Sequence, residues 1–100
     1  MKIIKEKKGI ITDLCRKYRV KELYIFGSSI RDDFSNDSDI DFAVVFDREN
    51  IKGSFDQYFD FKSELEHLFN RKIDLVCFSS IRNPIFKNEV NKTKRLIYAA

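Results

Sequence analysis

The chain has 100 residues, 43% hydrophobic and 35% charged, with a formal net charge of +3. That length suits one domain spanning residues 1–100, and the composition excludes a disordered or fibrous protein. No apolar run approaches the length of a membrane span, which excludes a transmembrane helix.

Charge is unevenly placed. Residues 1–24 hold eight Lys/Arg against three Asp/Glu, residues 31–49 two against seven, and residues 82–95 five against one. An acidic centre between basic ends suits cations held near a polyanionic ligand, although on the counts alone a solvated surface of mixed sign is the preferred reading.

The elements follow in chain order. Residues 3–19 are expected to form a helix, with Ile4, Ile11, Leu14, Cys15 and Tyr18 on one face and Gly9 as its weak point. Glu22–Phe26 is short and rich in β-formers, so it reads as a strand that Gly27 ends. Ser28 or Ser29 suits the N-cap of a short helix or turn, and residues 34–38 carry turn chemistry. Residues 39–47 read as a second strand: Ile40, Phe42, Val44 and Phe46 face one way, Asp39, Asp41, Ala43 and Val45 the other.

Residues 52–70 show the strongest helical spacing, with Phe55, Tyr58, Phe59, Leu65, Leu68 and Phe69 in phase. Residues 72–78 read as a third strand, in which Asp74 shares a face with Val76 and Phe78. Asn83-Pro84 marks a helix start, with a short helix to about Val90 and a last apolar piece, Leu96–Tyr98, as a tail. The order predicts an α/β (α+β) fold: a small mixed β-sheet flanked by helices.

Cys15 and Cys77 lie far apart, with no CxxC and no His nearby, which argues against a metal site. With no signal peptide, they are expected as reduced core thiols of a cytoplasmic protein. His67 is the single histidine and is expected on a helix surface, so Ser-His-Asp and His-rich metal mechanisms find no support.

The chemistry concentrates in residues 26–41, FGSSIRDDFSNDSDID. Asp39 and Asp41 leave the same strand face, where two ionised carboxylates repel unless a cation sits between them. Mg²⁺ is commonly held by one or two carboxylates plus substrate phosphates. Asp74 supplies a third carboxylate if its strand lies beside theirs, which would complete a two-metal site for phosphoryl or nucleotidyl transfer. Gly27 allows close backbone approach, and the N–H groups of the following turn with the Ser28 hydroxyl suit phosphate oxygens. Singly, each feature is more often a solvated strand end, an ordinary turn or a satisfied polar residue. Their order and spacing together favour an active site.

Gly27-Ser28, ten intervening residues, then Asp39-x-Asp41 in an apolar strand resembles the signature of the polymerase-β-like nucleotidyltransferase superfamily. The fuller pattern SSIR…DSDIDFAVVF, a helix, then KIDLV is most similar to the minimal nucleotidyltransferases, the MNT-domain family, and covers nearly the whole chain. The resemblance implies a polymerase-β-like fold with two Mg²⁺ bound by Asp39, Asp41 and Asp74, the last helping to deprotonate the acceptor hydroxyl. It also implies a triphosphate-binding turn at Gly27, Ser28, Ser29 and Arg31, with ATP as substrate and pyrophosphate as product. Many small members of the family are antitoxins paired with a HEPN-domain ribonuclease toxin, and silence it by placing AMP on a toxin tyrosine. One departure is visible: where the family often has Arg-Gly, Arg31 is followed by Asp32.

Four readings therefore stand. The first is AMP transfer to a HEPN toxin. The second is a binding-only antitoxin that occludes its toxin. The third, a small-molecule transferase, generally needs an added helical domain. The fourth, a nucleic-acid module, lacks a recognisable motif, so no direct nucleic-acid contact is expected. The sequence leaves the nucleotide, the acceptor and the oligomeric state open.

Overall fold

The structure, a computed structural model, describes residues 2–27, 39–47 and 54–100. Along the chain run helices α1 (Lys2–Glu6) and α2 (Lys8–Lys17), strands β1 (Val20–Ile25) and β2 (Ile40–Phe46), helix α3 (Ser54–Phe69) and strand β3 (Ile73–Cys77). A 3-10 turn at Phe78–Ser80, helix α4 (Pro84–Thr93) and strand β4 (Arg95–Ala99) complete the series.

The four strands form one mixed sheet in the order β3-β2-β1-β4. β1 pairs antiparallel with both β2 and β4, whereas β2 and β3 run parallel. The parallel pair needs a crossover, and α3 supplies it by packing on the sheet. The predicted small mixed sheet flanked by helices is therefore the observed architecture.

Alternation along the strands divides the sheet into two unlike faces. Leu23, Ile25, Ile40, Phe42, Val44, Ile73 and Leu75 point to one side and meet Ile4, Ile11, Cys15, Phe61, Leu65 and Phe69 from the first three helices. Phe61 is fully buried, with Tyr18 and Phe46 rings at 5.8 and 6.0 Å. On the other face a smaller cluster forms around Phe26, Ala43 and Val90 of α4, with Tyr24, Val76, Phe78 and Ile81 beside it. Each helix places its apolar stripe where burial removes most area from water.

Three expectations need correction. The single helix over residues 3–19 is two helices, broken at Lys7 rather than at Gly9. The break lets Ile4 turn into the core with Ile11 and Cys15. The apolar piece at Leu96–Tyr98 is no tail but part of β4, which pairs with β1 through Leu23↔Tyr98 and Tyr24↔Leu96. α4 also continues past Val90 to Thr93. Its start is as expected: the Asn83 side chain accepts hydrogen bonds from the Ile85 and Phe86 N–H groups, with Pro84 at the first turn. His67 lies exposed on α3, as expected.

Neither cysteine forms a disulfide, and Cys15 is fully buried in the main core. Burial pushes its thiol up to about 12 from the usual value of 9.0. A raised acid favours the folded state below its unfolded pKa, and that contribution is lost as pH climbs from about 9 towards 12. At pH 8 Cys15 is expected to resist iodoacetamide until the chain is unfolded, read as the mass of the Cys15 peptide with and without denaturant.

Candidate functional site

Of the seven candidate site residues, Gly27, Asp39, Asp41 and Asp74 are described; Ser28, Ser29 and Arg31 lie outside the described residues. The four that are described gather at one end of the sheet. The reason is registry. Parallel pairing of β2 with β3 sets Ile40 opposite Ile73, Asp41 opposite Asp74 and Phe42 opposite Leu75. Directly paired residues share a face, so burial of Ile40, Phe42, Ile73 and Leu75 on one side sends Asp41 and Asp74 out together on the other. Asp39, two residues before Asp41, belongs to the same face at the entrance to β2. Asp39 and Asp74 are exposed and Asp41 is half-buried.

β1 brings Gly27 against Asp41. The Phe26 N–H donates to the Asp41 carbonyl at 3.1 Å, continuing the β1–β2 ladder to the end of the strand. Gly27 then turns with φ +67°, in the left-handed region that side chains avoid. A Cβ at this position would lie 2.8 Å from Asp41 Oδ2. Gly27 thus meets two requirements at once: a turn direction, and room for the carboxylate.

The Gly27 N–H is not left for a phosphate. It donates to Thr93 Oγ1 at 3.5 Å, while the Thr93 hydroxyl donates to the Glu89 carbonyl at 2.9 Å. The last turn of α4 is thereby tied to the turn that bears Gly27. Sequence reasoning missed Thr93 because it ended the helix at Val90; helical spacing from Phe86 and Val90 would have pointed to it. On the far side, the Tyr58 phenol donates to the Leu75 carbonyl on the edge of β3. Burial, followed by the charges of Cys77 and Asp74, raises the Tyr58 pKa, so the phenol keeps its proton and its hold on the strand carrying Asp74.

Three carboxylates with no nitrogen or sulfur donor are the set a hard cation such as Mg²⁺ prefers. The donor chemistry and the strand register fit such an ion. Among the described residues, however, no three His, Cys, Asp or Glu side chains are gathered closely enough to hold a metal. The structure brings Asp41 and Asp74 side by side with Asp39 near, and does not draw all three into one cluster.

Two substitutions test this arrangement. Gly27→Ala is expected to destabilise the fold by about 1–2 kcal/mol, the cost of a side chain in left-handed backbone, read from urea unfolding. Thr93→Val, which keeps shape and removes both hydrogen bonds, is expected to cost about 1 kcal/mol by the same measurement, with Thr93→Ser restoring it.

Comparison with known proteins gives the family. Residues 9–100 match the family model described as "Polymerase beta, Nucleotidyltransferase". A Methanocaldococcus jannaschii protein classed as a protein adenylyltransferase is 38% identical over 96 residues, covering 96% of this chain and 90% of its own. Among solved structures, a minimal nucleotidyltransferase superposes with a TM-score of 0.75 at 22% identity, covering 91% of this chain and 89% of the other. The complex of a tri-AMPylated Shewanella oneidensis HEPN toxin with MNT antitoxin contains a chain that superposes with a TM-score of 0.67 at 21% identity, covering 97% of this chain and 73% of that one. At these identities the two structural likenesses speak to the fold, and the family match and the M. jannaschii relative carry the rest. The chain belongs to the polymerase beta nucleotidyltransferase family.

Proposed function

We propose that this nucleotidyltransferase moves AMP from ATP to a protein hydroxyl in the cytoplasm, and that the acceptor is a tyrosine of a HEPN-domain toxin. The observation that carries the reading is the Asp41↔Asp74 register beside Gly27, with Asp39 on the same face. The name of the M. jannaschii relative supports protein as acceptor, and the AMPylated HEPN toxin bound to a similarly folded chain supports the partner.

On this reading Asp39, Asp41 and Asp74 would hold two Mg²⁺ ions, which supply charge neutralisation at the phosphates when bound. Gly27 gives the Asp41 carboxylate its place, and Ser28, Ser29 and Arg31 bind the triphosphate. Asp74 accepts the proton of the acceptor hydroxyl, needed because a tyrosine has a pKa of about 10. The acceptor oxygen forms a bond to the α-phosphorus as the bond from that phosphorus to the bridging oxygen breaks. Pyrophosphate leaves.

The test is transfer of label from α-labelled ATP, with Mg²⁺, to the HEPN-domain protein encoded beside this chain. Wild type is expected to label it. Asp74→Asn should lower the rate by about 10²–10⁴-fold, the usual range for loss of a general base, and Asp39→Asn/Asp41→Asn should abolish labelling. Tight complexes with no label from any form would replace this reading with a binding-only antitoxin.

A further inference from the structure

Within the described residues, α4 is the helix that packs on the sheet face carrying the aspartates, and of its residues Val90 alone is buried. Its outer surface keeps two large apolar side chains in water: Ile85 is 81% exposed and Phe86 40%. Leu96, paired with Tyr24 on the same face of the sheet, is 58% exposed. Large apolar groups of this kind, rimmed by polar residues, mark surfaces that another molecule covers.

The rim is basic. Arg82, Lys87, Lys92 and Lys94 lie on or beside α4, against the carboxylate of Glu89 in the same segment. Two of these cations lie over aromatic rings: Lys94 Nζ is 4.6 Å from the Tyr24 ring centre and 4.4 Å from that of Phe78, and Lys87 Nζ is 5.7 Å from Phe78. The rings hold the ammonium groups beside the patch. A phosphate backbone would leave Ile85 and Leu96 uncovered, whereas an acidic protein surface with an apolar centre would satisfy both parts.

We propose that the α4–β4 surface is where the protein acceptor docks, through an apolar patch ringed by Asp and Glu. This rests on the protein-AMPylation reading and adds where the acceptor sits. The Thr93–Gly27 hydrogen bond joins the docking helix to the catalytic turn, so an acceptor seated on α4 is held at a fixed position beside Asp41.

The experiment measures calorimetric affinity of the HEPN-domain protein encoded beside this chain for wild type, Ile85→Asp, Leu96→Asp and Lys87→Glu/Lys92→Glu. Ile10→Asp, at a 52%-exposed apolar residue on α2, is the control. ATP affinity and melting temperature are read for each variant. Affinity for the HEPN-domain protein is expected to fall about thirtyfold or more in the Ile85 and Leu96 variants, with ATP affinity unchanged and Ile10→Asp equal to wild type. Unchanged affinity in all three surface variants overturns the proposal, as does a loss with Ile10→Asp alone. It is also overturned if the surface variants abolish self-association in sedimentation while binding of the HEPN-domain protein persists, because a second copy of the chain would then cover the patch. Affinity lost as expected without any AMP transfer by wild type supports the docking surface and sinks the catalytic reading. No binding by wild type overturns both.

Discussion

The site depends on one pairing: β2 beside β3, parallel, with Asp41 opposite Asp74. Electrostatics opposes it. Like charges on directly opposite residues disfavour one another, and the exposure of Asp74 lets water weaken that cost. The core favours it. Ile40, Phe42, Val44, Ile73 and Leu75 are buried behind the same two strands, and each contributes about 1.5–3 kcal/mol by leaving water. A slip of β3 by one residue would turn Ile73 and Leu75 outward and Asp74 inward. The apolar side of the sheet therefore fixes the acidic side, and repulsion is an acceptable cost.

The two faces of the sheet then divide the work. Helices α1, α2 and α3 cover one face and make most of the core. On the other, α4 packs through Val90 against Phe26 and Ala43. The small Ala43 follows Asp41 on this face and lets the helix come close. Phe86 against Phe26 and the Thr93 hydroxyl on the Gly27 N–H add two further ties. α4 is thus weakly buried but well registered, which suits an element that faces outward and still has a fixed relation to the site.

Much of this was legible in the sequence, because period-two alternation reports directly on a half-buried strand. It placed Asp39 and Asp41 on one face and Asp74 among apolar neighbours. Whether β3 lay beside β2 was conditional on topology, and the structure supplies that neighbour. β4 was missed for a different reason. It is an edge strand with mixed exposure, so its pattern is weak, and its existence rests on pairing with residues seventy or more positions earlier. The break at Lys7 was not legible because Gly9, the weak point of local propensity, stays helical, while Ile4 packs into the core with Ile11 and Cys15. The partner of Thr93 was hidden for a like reason: Gly27 lies 66 residues away.

Exposure gives the last step. Asp39 and Asp74 stand exposed at the sheet end, whereas transfer to a hydroxyl in competition with water needs the acceptor held close and water kept out. A small acceptor would bring no such enclosure. A folded protein would bring its own surface, and one docked on α4 as proposed would stand on the face that carries the aspartates. Specificity for the acceptor and protection from hydrolysis would then come from a single contact.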